Sequence, residues 1–263
     1  MKGWLLACVL LFGFAGSAAA ADMPVVPYQP PLVRPLYSWT GCYIGVNMGG
    51  GAAPQSRVDT TGVFAPAGTS LGDMTARGVA GGGQLGCDYQ IGAWVFGLQG
   101  LLDLSGMKGS DVLPTTNLVN NSFVQTFATV TGRVGYTVLP TLLVYAKGGA
   151  ARAHDLYNVA APTGAAGVAP TAIGPVLTPP GIIVALGSKS TNGWTAGFGA
   201  EWGFAHAPVS LSLEYNYLGF SSTQVPFISA IVPGQGFPIG ISQKIHTVLF
   251  GINLHFFGGE TGP

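Results

Sequence analysis

Glu201 and Glu214 are the two carboxylates in this chain best placed to share general acid/base work, with Arg133 and Lys147 as cations able to tune them. His154, His206, His246 and His255 are the other proton carriers, and none has a serine or carboxylate at a spacing that suggests a nucleophile and its base. His154 does adjoin Asp155, but at the start of a long connecting segment. Gly81, Gly83 and Gly86 satisfy a G-x-G-x-x-G pattern, whose phosphate-cradling chemistry needs a helix N-terminus directly after it. Cys87-Asp88-Tyr89-Gln90 follows instead, a turn-bound strand sequence, so no nucleotide cofactor is expected. Cys42 and Cys87 are too few for a zinc site. Ion pairing between the two glutamates and the two bases is the expected use of these charges, and no enzymatic activity is expected.

The elements that carry these residues are strands. From Gly193 to Phe220, Trp194, Ala196, Phe198, Ala200 and Trp202 alternate with Thr195, Gly197, Gly199, Glu201 and Gly203. After a turn at Ala207-Pro208, Val209, Leu211, Leu213, Tyr215 and Tyr217 alternate with Ser210, Ser212, Glu214 and Asn216. Period-2 alternation puts each set on its own face. One face is continuously apolar. The other is small or polar with one carboxylate per strand, which suits an enclosed lumen and a membrane-spanning hairpin.

Composition agrees. Charged residues make up 8% of the chain, against roughly 25% in a typical soluble domain, and mean hydropathy is +0.44. Yet beyond the N-terminus no uninterrupted apolar run approaches the ~18 residues of a membrane helix, which leaves a closed barrel as the spanning solution. A net charge of zero argues against nucleic-acid binding. Residues 1–21 are expected to be a secretory signal peptide: Lys2, an apolar run from Trp4 to Phe14, and a cleavage site within Ala18–Ala21. A Pro-rich periplasmic leader is expected over 22–40, the barrel over 41–257 and a short tail over 258–263.

Alternating segments at about 42–51, 78–89, 93–104, 125–136, 141–152, 193–204, 208–219 and 244–256 predict eight antiparallel strands of an up-and-down transmembrane β-barrel. Short periplasmic turns follow the second, fourth and sixth strands, and long extracellular loops follow the first, third, fifth and seventh. The apolar phase points Ile44, Val46, Trp94, Phe96, Leu98, Val130, Val144 and Phe250 at lipid. Asp88, Asp103, Arg133, Lys147, Glu201 and Glu214 then all fall inward, and Gln99, Asp103, Arg133, Lys147, Glu201, Glu214, Asn253 and His255 are expected to form a structural polar network, with Asp103 among the acids available to the two bases. Arg152 and Lys244 fall outward at the loop-side strand ends. Eight strands enclose a space that side chains can fill, which predicts a plugged barrel rather than a channel. Cys42 and Cys87 share the outward phase near the periplasmic rim, and both a cross-strand disulfide and two free thiols remain open. Leu156–Ser188 and Ser221–Gln243 lack charge altogether. They suit either a contact surface for a partner or strands that continue beyond the membrane.

In these residues the chain resembles the small opacity-protein-like outer-membrane barrels of alphaproteobacteria, often labelled porin-family. The matching pieces are Ser38–Gly45, Val95–Gly100, Thr131–Tyr136, Tyr145–Ala151, Gly193–Gly197, Glu214–Tyr217 and His246–Val248. The resemblance implies an eight-stranded barrel in the cell outer membrane, with roles in envelope structure or surface contact. As partners it implies outer-membrane lipids and lipopolysaccharide, plus periplasmic chaperones and the barrel-assembly machinery during biogenesis, around a monomer. An adhesin acting through the long loops and a low-conductance pore are the alternatives. The family's last strand commonly ends on an aromatic such as Phe256, whereas here residues 257–263 follow.

Overall fold

The computed structural model of the protein describes residues 37–62, 66–113, 116–169 and 175–256. The expected signal peptide, the leader as far as residue 36 and the C-terminal tail lie outside the described residues. Eight long strands form a closed antiparallel barrel: β1 (Gly41–Asp59), β2 (Ser70–Ile91), β3 (Trp94–Leu113), β4 (Leu118–Leu139), β5 (Leu142–Ala160), β8 (Ile183–Gly203), β9 (Val209–Ser229) and β10 (Gly236–Phe256). Each pairs with its neighbour in sequence, and β1 pairs with β10 to close the ring. The connection from β5 to β8 carries a separate small hairpin, β6 (Gly167–Ala169) and β7 (Val176–Thr178).

The lower register follows the sequence pattern. Ile44, Val46, Leu98, Leu102, Val130, Phe198 and Leu213 face outward and are exposed, while Tyr43, Gln99, Arg133, Lys147, Glu201 and Glu214 are buried inside. Tyr89, Trp94, Tyr136, Trp202 and Phe256 ring the short-turn rim on the outer face, where amphipathic rings favour the headgroup level.

The strands are longer than expected. They run 19 to 22 residues, against the roughly 9–11 that cross a bilayer. Most of the expected long-loop sequence is therefore strand, and of the two readings of Leu156–Ser188 and Ser221–Gln243 the structure takes strands continuing past the apolar band: β5 continues to Ala160, β8 starts at Ile183, β9 continues to Ser229, and β10 starts at Gly236. Alternation persists in these extensions but its polarity reverses. On β9, Leu211 and Leu213 belong to the outward set below; a bulge between Phe220 and Thr223 shifts the phase, so Val225 and Phe227, of the same parity, point inward above, with Gln224 and Pro226 outside. On β5, Val144 and Ala146 face out below; above, Arg152 and His154 face out while Ala153, Tyr157 and Val159 face in. A pattern keyed to apolar-outward residues stops where the reversal begins.

The interior is layered. A charged layer occupies the short-turn end, and above it lies an apolar layer that includes Leu101, Met107, Val124, Phe127, Leu218, Phe220 and Ile245. Gln55, Arg57, Asp155 and Gln243 are buried above that. Leu71, Leu113, Leu118, Val159, Val225, Phe227 and Ile239 form a second apolar cluster toward the far end.

Candidate functional site

Arg133 on β4 is the centre of the lumen's charged layer. Its Nε donates to Asp88 Oδ1 at 2.7 Å, Nη2 pairs with Asp88 Oδ2, and Nη1 donates to Glu201 Oε2 at 3.0 Å. Tyr43 and Tyr145 lie on the guanidinium, each ring centroid 4.9 Å from Cζ. Desolvated cation–π contacts of this kind contribute about 2 kcal/mol each. The other oxygen of Glu201 accepts hydrogen bonds from Ser210 Oγ at 2.5 Å and Asn253 Nδ2 at 2.8 Å, with His255 Nε2 at 3.4 Å. Gln84 Nε2 donates to Asn253 Oδ1 at 2.6 Å, which carries the network across to β2.

Lys147 anchors a second cluster. Nζ reaches Glu214 Oε2 at 2.5 Å and Gln99 Oε1 at 2.8 Å. Glu214 Oε1 accepts from Gln99 Nε2 at 3.1 Å and from Tyr145 Oη at 2.6 Å. Tyr145 thus joins the clusters, with its ring on Arg133 and its hydroxyl on Glu214. Space for this packing is made by glycine: a Cβ on Gly199 would come within 2.8 Å of the Tyr145 ring, and one on Gly97 would collide with the Asp88 carboxylate.

Of the residues singled out from sequence, Gln99, Arg133, Lys147, Glu201, Glu214, Asn253 and His255 come together here. Asp103 does not join them: it is buried beside Asn47, and no described base lies within ion-pair distance of it. Asp88 takes the role expected of Asp103. The inward phase of Asp88 was legible, but its pairing depends on height along the barrel, which alternation does not give. Tyr37 and Trp39, assigned by sequence to the leader, are buried at the short-turn mouth. Trp39 N donates to Gln90 Oε1 at 2.9 Å, and the two rings pack edge-on against His255. Two large aromatics just ahead of the first strand are the sequence trace of this cap. Cys42 and Cys87 stand directly opposite on β1 and β2 and are joined by a disulfide.

The polar groups of this site are turned on one another. Glu201 is fully buried and its oxygens accept from Arg133, Ser210 and Asn253. His154 Nδ1 contacts Ser190 Oγ at 2.9 Å on the outer wall, while Asp155 points to the opposite face, so the three do not form a relay. Gly81, Gly83 and Gly86 lie within strand β2. Among the described residues no group of three or more His, Cys, Asp or Glu is placed to hold a metal.

A closed eight-stranded antiparallel barrel with lipid-compatible lower walls and a filled lumen defines an outer-membrane barrel. The chain belongs to the outer membrane protein β-barrel domain family, whose model matches residues 6–256. It is 30% identical over 267 residues to the 31 kDa outer-membrane immunogenic protein of Brucella melitensis biotype 1, covering 97% of this chain and 100% of that protein; the Brucella suis biovar 1 protein matches equally. Among solved structures it is similar to the outer membrane protein OprG of Pseudomonas aeruginosa, with TM-score 0.48 and 10% identity over 85% of this chain and 100% of that one. It is also similar to Ail, the attachment invasion locus protein of Yersinia pestis, with TM-score 0.37 and 11% identity over 82% of this chain and 100% of that one. The protein is an outer-membrane protein.

Proposed function

We propose that this protein is a non-enzymatic, plugged barrel that contributes to envelope structure and presents a rigid β-walled surface outside the cell. Export by a signal peptide in residues 1–21 and a monomeric state belong to this proposal. One observation carries it: the lumen is occupied by the Arg133–Asp88–Glu201 and Lys147–Glu214–Gln99 clusters, with apolar layers stacked above them. Paired charges packed in this way leave neither a catalytic constellation nor an aqueous path. The test is a deletion strain complemented in trans and challenged with vancomycin and bile salts. Raised sensitivity, restored by the wild-type gene and not by a barrel carrying Arg133→Ala, is expected. A deletion strain as resistant as its parent would remove the envelope role.

Surface binding is a second reading with its own observation. On the outer wall of the extensions, Phe123, Leu156, Leu186 and Ile228 line a groove of about 880 Å³ that also takes in Lys108, Asn121 and Asn158. Asn121 Nδ2 donates to Asn158 Oδ1 at 2.8 Å along its floor. Exposed apolar side chains above the membrane suit a contact surface.

A further inference from the structure

The outer wall changes character abruptly where β5, β8, β9 and β10 leave the apolar band. Trp194 on β8 is half exposed, and its ring centroid lies 5.0 Å from that of Tyr217 on β9. Tyr217 lies 5.1 Å from His246 on β10, edge to face, and His246 Nδ1 meets Tyr215 Oη at 2.7 Å. Together they form an aromatic shelf across three strands. Gly219 makes the shelf possible. Trp194 and Lys244 are its cross-strand partners on either side, and a Cβ there would stand 2.9 Å from the indole. The indole therefore extends across the wall toward Lys244. Arg152 pairs across from Asn192, one outward position above Trp194. Both bases are exposed, and no ion pair among the described residues engages either one. The acids of these four strands are Asp155, Glu201 and Glu214, and all three are buried inside the barrel. Two cations thus share a wall that offers them no acid.

We propose that Trp194, Tyr217 and His246, with Arg152 and Lys244, bind the phosphorylated sugar headgroup of an outer-leaflet glycolipid, that is, of lipopolysaccharide. Aromatic faces stack on the apolar side of a sugar ring, and the two bases take its phosphate by charge-assisted hydrogen bonds. The apolar wall below, at Phe198, Leu213 and Val248, receives the acyl chains. A general interfacial belt accounts for single aromatics and bases at this height; here an aromatic shelf across three strands stands beside two bases on a wall without acids. The proposal rests on the outer-membrane placement above and deepens it by naming the residues that hold a lipid class the resemblance only implied.

The test uses the folded barrel in dodecyl maltoside, titrated with bisphosphorylated lipid A, with the same lipid A dephosphorylated, and with phosphatidylglycerol. Binding is followed by native mass spectrometry. Bisphosphorylated lipid A is expected to bind at least about tenfold more tightly than either comparator, and the double variant R152Q/K244Q to lose about tenfold. Trp194→Ala should weaken lipid A binding, and R77Q/K108Q, altering bases on β2 and β3, should not. Heat-modifiable migration on gels establishes that each variant is folded. Equal binding of dephosphorylated lipid A, or wild-type binding by R152Q/K244Q, overturns the phosphate site. Equal binding of phosphatidylglycerol overturns the sugar preference. Failure of the outer-membrane placement would appear separately, as loss of the native protein from outer-membrane fractions.

Discussion

The two ends of the same barrel obey opposite rules. Below about the level of Trp194 the wall is apolar outside and the lumen is polar and charged; above it, bases, amides and hydroxyls predominate outside while much of the lumen is aliphatic and aromatic. The ladder stays antiparallel through both, but its register shifts near the border, at Val124/Thr126 on β4 and between Phe220 and Thr223 on β9. What changes is the solvent. Lipid rewards apolar side chains outside and leaves polar ones to pair within, whereas water drives the upper interior to bury Leu71, Val225, Phe227 and Ile239 as a soluble barrel would. Side-chain polarity marks the border between the two, and bulges on β4 and β9 lie beside it.

The lower half should depend most on its ion pairs. Arg133→Ala leaves Asp88 and Glu201 buried without their cation, a loss of about 3–5 kcal/mol. Urea unfolding in detergent should show it, and the triple change Arg133→Met, Asp88→Asn, Glu201→Gln should recover most of it. An Arg133→Ala barrel as stable as wild type would mean that the charged layer is hydrated rather than packed.

Outward substitutions should separate the halves next. Leu213→Arg places a cation against lipid at a site that is 55% exposed, costing about 2–4 kcal/mol and reducing assembly into the membrane. Ile228→Arg, on the same strand and 66% exposed, lies above the border and should be neutral within about 0.5 kcal/mol. Equal amounts of folded Leu213→Arg and Ile228→Arg in outer-membrane fractions would move the border.

The smallest effect concerns pH and belongs to the extracellular half. Burial pushes the Asp155 carboxyl up to about 7, partly offset by the hydrogen bond from Gln243, against an ordinary value of 3.8. Because the native state holds this proton more tightly than the unfolded chain, stability falls as pH rises from about 4 through 7. Asp155→Asn keeps an acceptor for Gln243 and should match wild type at pH 4, yet be the more stable of the two at pH 8. Parallel stability curves for the two proteins across that range would contradict this.

Much of the lower half was legible in the sequence, because period-2 alternation and the inward charges specify the same face. Trp194 through Trp202 and Val209 through Tyr217 needed nothing further. The extensions were harder: outward apolar residues such as Ile228 are scattered there, so neutral Pro- and Gly-containing sequence left loop and continuing strand both open. The network was legible as a set but not as a wiring diagram. Asp88 and Asp103 share a phase, and only the stagger of β2 against β3 and β4 brings the first to Arg133 and leaves the second beside Asn47. Tyr37 and Trp39 precede the first strand and share the odd, inward phase of Tyr43, but the Pro-rich run before them placed them with the leader.

The plugged lumen is the centre of this account, and single-channel recording addresses it most directly. Purified, folded monomer in planar bilayers should give no large sustained conductance, only small or flickering events, because the charged layer and the apolar layers above it fill the interior. Stable porin-sized steps from verified monomer would contradict the account and place the protein among solute channels.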